Sequence, residues 1–185
     1  MKEEKYLDAV IELIKTDGLG LSMDAIADGI GVTRKTLYNR FSSKDELMEK
    51  CMERLFQEFR GLTACLDDSS VPVEQGFRDG ILGMWQFFRD ASHVFTRDLM
   101  ENYPGIANDR HNSGTELFEE RLRGNILRGQ EQGVYRTEID AGLMARFVAY
   151  SIFSFFHKEV MKGGVCTYEE YFSQVIDFNL KALLL

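Results

Sequence analysis

Only two prolines, Pro72 and Pro104, interrupt 185 residues, so long helices can run between few enforced breaks. Cysteine is almost as scarce. Cys51, Cys65 and Cys166 show no C-x-x-C or other metal-ligand spacing, which argues against a disulfide framework and leaves reduced packing residues as their expected role. His93, His111 and His157 are scattered, and none belongs to an H-x-x-x-H or H-E-x-x-H pattern. No metal and no cofactor is therefore expected. No nucleophile elbow, P-loop or dinucleotide fingerprint occurs either, so no catalytic residue is nominated and the chain does not read as an enzyme. The longest uncharged apolar stretch, 147–156, is ten residues, short of the ~20 a membrane span requires. With no charged-then-apolar leader at the N-terminus, a cytoplasmic location and no membrane partner are expected.

A surplus of positive charge is also missing. The net charge is -8, and residues 61–185 hold twelve Lys plus Arg against eighteen Asp plus Glu, so most of the acidity sits there. Such a chain does not stick to nucleic acid indiscriminately. Yet between Thr33 and Lys44 stand four basic residues, Arg34, Lys35, Arg40 and Lys44, with no Asp or Glu among them. A local basic patch on an acidic protein is what a phosphate-binding face looks like.

The patch has a local architecture. Ser22 is a good N-cap before a short helix from about Met23 to Ile30, in which Ala25, Ile26 and Ile30 recur at helical spacing. Gly31 supplies the turn, Val32 plugs the corner, and Thr33 caps a second helix reaching Phe41. Leu37 and Phe41 are four apart and share one face, leaving Arg34, Lys35, Thr36, Tyr38, Asn39 and Arg40 on the others. Ser42 or Ser43 then caps a helix opening with Lys44, Asp45 and Glu46, whose first amides are a possible phosphate seat. Two short helices joined by a glycine turn, the second basic and capped, have the anatomy of a DNA-reading helix-turn-helix.

The stretch I-A-D-G-I-G-V-T-R-K-T-L-Y-N-R-F-S-S-K-D-E-L resembles the DNA-binding signature of the TetR family of bacterial transcriptional regulators, close to I-A-x-x-A-G-V-S-x-G-T-L-Y-x-H-F-x-S-K-x-x-L. The resemblance implies packing roles for Ile26, Ala27, Gly31, Val32, Leu37, Phe41 and Leu47, and phosphate contacts at Thr33, Thr36, Tyr38 and Lys44. Lys35 stands where the family most often has glycine and Arg40 where it most often has histidine, so these bear on operator sequence more than on DNA binding itself. Ser22, Arg34, Lys35, Asn39 and Arg40 complete the set expected at DNA, with Lys35, Asn39 and Arg40 as base readers.

The rest of the chain reads as helical, giving an all-α fold: an N-terminal three-helix DNA-binding unit, 1–46, and a C-terminal helical bundle for ligand binding and dimerisation, 47–185. Leu7, Val10, Ile11 and Ile14 predict a first helix over about 3–16, and the stripe from Leu47 to Leu62 predicts a linking helix over about 44–65. After a break at 67–72, helices are expected over about 77–90, 93–102, from after Gly105 to Gln132, over 141–161 and over 168–184. Gly124 and Gly129 weaken the case for continuity of the third of these.

The last two helices are apolar on more than one face, and such helices must be buried on more than one face. Phe147, Tyr150, Ser151 and Phe155, with Phe172, Ile176 and Leu180, are the expected homodimer interface, a reading the resemblance favours; both faces being plain core is the alternative. Met84, Trp85, Phe88, Phe95, Tyr103, His111 and Phe118 are the expected lining of a ligand cavity, where the resemblance implies a small, largely apolar effector. The implied function is a sequence-specific transcriptional regulator, a repressor released from a palindromic double-stranded DNA operator by that effector. The competing reading is a helical ligand-binding or scaffold protein whose helix-turn-helix does not read DNA.

Overall fold

The computed structural model describes residues 3–89, 91–102, 114–162 and 168–185. Tyr103, His111 and Cys166 lie outside the described residues, as do the side chains of Phe155, His93 and His157.

Helix α1 (Glu3–Asp17) buries Tyr6, Leu7, Val10, Ile11 and Ile14 on one stripe, the face its sequence spacing marks out. Gly18, at φ +87°, ends it. Helices α2 (Met23–Gly29) and α3 (Arg34–Tyr38) follow, then α4 (Lys44–Leu62), a 3-10 turn (Ala64–Leu66) and α5 (Val73–Arg89). The remaining elements are α6 (His93–Asn102), α7 (Gly114–Glu131), α8 (Ala141–Lys162) and α9 (Tyr168–Leu183). Among the described residues the fold is all-α. Its one β-bridge pairs Tyr135 with Leu184, and the Arg136 N–H donates to the Leu183 carbonyl at 2.8 Å, pinning the chain's end to the α7–α8 connection.

Helix α4 joins the two ends of the molecule. It packs on α1 on one side and on α5 on the other, while α1 also meets α6, α5 meets α9, and α7 pairs with α8. The 46/47 boundary expected between two units therefore falls inside α4. Ion pairs across the α1–α4 seam, Lys50–Glu3 at 2.8 Å and Arg54–Asp8 at 2.6 Å, are exposed and add little beyond the apolar contact beneath them.

At the junction of α4 and α5 two boundaries differ from expectation. Helix α4 stops at Leu62 and tightens into the 3-10 turn, where Arg121 of α7 donates from Nη1 to the Arg60 carbonyl at 2.7 Å and to the Thr63 hydroxyl at 2.6 Å. A guanidinium on the last carbonyls of a helix is a favourable cap. Helix α5 begins at Val73, directly after Pro72. Its glycines Gly76, Gly80 and Gly83 form a buried stripe under that same turn. A Cβ at Gly83 would run into the backbone carbonyl of Leu62, so bare backbone is what lets α4 and α5 close up here. Gly83→Ala is expected to destabilise the fold by about 1–3 kcal/mol, read as a lower urea midpoint at unchanged slope.

Helix α7 is continuous through Gly124 and Gly129. The ring of Tyr135 occupies the place a side chain at Gly129 would take. Cys51 is buried and Cys65 half-buried, both as free thiols. Burial pushes the Cys51 thiol up to about 12, so it stays neutral and unreactive near pH 7.

Candidate nucleic-acid interface and internal cavity

Caps build the DNA-facing corner. The Ser22 hydroxyl accepts from the Ala25 N–H at 3.2 Å and starts α2. Gly31, at φ +71°, turns the chain, and the Val32 N–H closes on the Ala27 carbonyl at 2.9 Å. Thr33 caps α3: its hydroxyl accepts from the Thr36 N–H at 3.1 Å and pairs with the Thr36 hydroxyl at 2.8 Å. Leu37 and Phe41 are fully buried, and Lys35, Tyr38, Asn39 and Arg40 are exposed on the opposite side. Helix α3 is shorter than the expected 33–41, because Asn39 caps it and a turn carries the chain on to Arg40 and Phe41.

Each cation has its own setting. Arg34 pairs with Asp24 of α2 at 3.0 Å and lies 5.3 Å over the Tyr38 ring, so it braces the recognition helix against its neighbour. The Arg40 guanidinium sits 5.6 Å over the Tyr6 ring of α1. Lys44 donates to the Leu19 carbonyl at 3.0 Å, which leaves two of its three N–H groups for another acceptor.

At the start of α4 the cap is Ser43, whose hydroxyl accepts from the Glu46 N–H at 3.1 Å. The Glu46 carboxylate reaches back to the hydroxyl and N–H of Ser42 at 2.6 and 2.7 Å, and these bonds, with Lys50, hold its carboxyl below the usual carboxylate range. The clamp is fully formed above that range and is lost as pH falls through the lowered value. A carboxylate thus already occupies part of the helix start that was the candidate phosphate seat.

Against this geometry, the matches to known proteins are specific. Residues 7–51 match the family model "Bacterial regulatory proteins, tetR family", a segment running from α1 through the recognition helix into α4. Residues 7–51 thus carry a DNA-binding segment of the TetR type. Over 158 residues it is 28% identical to the HTH-type transcriptional repressor KstR2 of Rhodococcus jostii, covering 80% of this chain and 74% of that protein. The fold of the ketosteroid transcriptional regulator KstR2 of Mycobacterium tuberculosis superposes with a TM-score of 0.69 at 16% identity, over 98% of this chain and 94% of that one. The fatty acid degradation regulator FadR of Bacillus halodurans superposes with a TM-score of 0.71 at 18% identity, over 97% and 96%. Within the matched segment, α2–α3 is the helix-turn-helix, and the curated relatives that match most of the chain are HTH-type transcriptional regulators.

Behind the TetR-type head, a cavity of about 220 Å³ opens between α4, α5, α6, α7 and α8. Phe56 and Phe59 of α4, Phe87 and Phe88 of α5 and Phe153 of α8 supply five rings to its wall, with Met52, Leu55, Leu99, Gly114 and Thr115. Among the residues expected there, Phe88 lines it. Met84, Phe95 and Phe118 are buried in the core beside it, and Trp85 is half-buried beneath the Arg89 guanidinium at 5.4 Å, none of them on the cavity wall. The wall contributed by α4 was missed, because its stripe reads equally well as plain core. Nothing in a helical period distinguishes a residue beside a void from one beside another side chain.

The expected dimer face divides in two. Phe147 and Tyr150 of α8 are each 57% exposed and Ser151 half-buried, whereas Phe172, Ile176 and Leu180 of α9 are buried in the chain's own core. Those three cannot meet a partner, and the correction follows from the rotation of α9, which turns them inward and Phe178, 66% exposed, outward. Leu143, at 68%, extends the open strip along α8.

Proposed function

We propose that this chain is a cytoplasmic homodimeric repressor of the TetR family. Two α3 helices read a palindromic operator with half-sites one helical turn apart, and a small, uncharged, largely apolar molecule in the cavity releases it. The observation that carries the DNA reading is the exposed basic face of α3, within a stretch 33–44 that holds four cations and no acid, on a chain of net charge -8. Residues 1–46 act as the reading head and 47–185 as the body that holds effector and partner.

The exposed strip of Leu143, Phe147 and Tyr150 on α8, with Phe178 on α9, supports a two-fold helical interface, since a monomer gains nothing by leaving such rings in water. The cavity supports an apolar effector: its described wall carries five phenylalanines and no charged side chain. Its volume, about 220 Å³, exceeds the ~150 Å³ that suffices for benzene, so a ligand of two or more rings or an equivalent alkyl body fits. Two regulators of the same fold are named for ketosteroids and for fatty acid degradation, compounds with large apolar bodies.

The test is selection of bound sequences from a random double-stranded DNA pool at about 0.15 M salt. An enriched palindrome is expected. Lys35→Ala or Arg40→Ala should then relax preference at single positions by ~1–3 kcal/mol. No enrichment over random DNA overturns the reading.

A further inference from the structure

The backbone of Leu19, in the turn between α1 and α2, is held from both sides. Its N–H donates to Oδ2 of Asp98 on α6 at 2.9 Å, and its carbonyl accepts from Nζ of Lys44, the first residue of α4, at 3.0 Å. One residue's backbone thus joins a carboxylate of the body to a cation of the head, and fixing its N–H on Asp98 fixes the direction of the carbonyl that Lys44 meets.

The surroundings keep this contact rigid. Asp98 is 8% exposed and Leu19 4%. Arg97 holds the other carboxylate oxygen of Asp98 at 3.0 Å, and the Ser92 N–H donates to the Lys15 carbonyl at 2.8 Å, seating the entry to α6 on the end of α1. Gly18 makes the approach possible. A Cβ there would lie 2.7 Å from Oδ2 of Asp98 and 2.5 Å from Cγ1 of Val94, and its φ of +87° disfavours any side chain.

We propose that Asp98 is a positioning residue for DNA binding: through the backbone of Leu19 it holds the Lys44 ammonium where a backbone phosphate docks. This rests on the reading of α3 and the start of α4 as the DNA face. Leu99, next on α6, walls the cavity, so the relay begins one residue from the effector site.

Salt dependence of operator binding by the full chain is the test, because each phosphate contact contributes about 0.9 to the slope of log affinity against log salt. Lys44→Ala is expected to lower the slope by about that much, and Asp98→Ala by a similar amount with about fivefold weaker binding, the equivalent of one hydrogen bond. The double variant should show no second drop. Asp98→Asn keeps an oxygen for the Leu19 N–H and should keep the wild-type slope. Should Asp98→Ala not fold, Asp98→Ser, with a hydroxyl too short to reach, takes its place under the same criteria. An Asp98→Ala slope equal to wild type, or a double variant that loses two contacts, overturns the relay alone. Wild-type protein that prefers no DNA sequence overturns the underlying reading instead.

Discussion

Phe147→Glu is expected to abolish tight operator binding while leaving each monomer folded. Phe147 is 57% exposed, so the substitution removes little from the monomer's core, and the buried Ala145, Val148 and Ile152 keep α8 in place. In a two-fold interface the same patch is used by both copies, so one substitution buries two carboxylates at once, an uncompensated charge that the association cannot bear. Losing the second half-site removes the gain from binding two linked sites, on the order of 10² to 10⁴ in affinity. Light scattering should report a monomer, and titration of the selected palindrome should report the loss. A variant that stays dimeric and binds as wild type shows that the exposed strip of α8 is not the interface.

Phe59→Ala is expected to give the largest loss of stability. The ring is 4% exposed and lies edge-on to Phe87 at 5.5 Å and to Phe118 at 6.5 Å, with Phe56 stacked at 6.3 Å. Truncating such a side chain costs about 3–5 kcal/mol, because neighbours held by their own helices cannot collapse into the space. At roughly 2–4 °C per kcal/mol for a chain of this size, thermal unfolding should move down by on the order of 10 °C. Because Phe59 also walls the cavity, the neutral fluorescent probe N-phenyl-1-naphthylamine should still bind the folded variant, now in an enlarged site. A midpoint within about 2 °C of wild type contradicts this account of the aromatic cluster.

Much of the fold was legible in the chain because the forces that set it act within one helical turn. Ser22, Thr33 and Ser43 cap the three helices they precede, Gly31 adopts the positive φ its position asks for, and Leu37 and Phe41 face inward as their four-residue spacing requires. The basic corner was legible for the same reason, since turn, cap and charge gap all lie within 31–44. Legibility failed where a helix is apolar all round. For α9, periodicity puts Phe172 and Ile176 on one face and Phe178 on another, yet it does not say which face the body covers.

The amino-acid sequence by itself determined an all-α chain with a capped helix-turn-helix and a basic reading face, because hydrogen bonds to caps and the 3.6-residue period are local. Tertiary structure alone decided the remainder: the glycine stripe of α5 beneath the end of α4, the five-ring wall of the cavity, the outward turn of Phe178, and the Leu19 backbone between Asp98 and Lys44. Each of these brings together residues far apart in the chain. Their meeting depends on how rigid helices stack, and no local spacing records that.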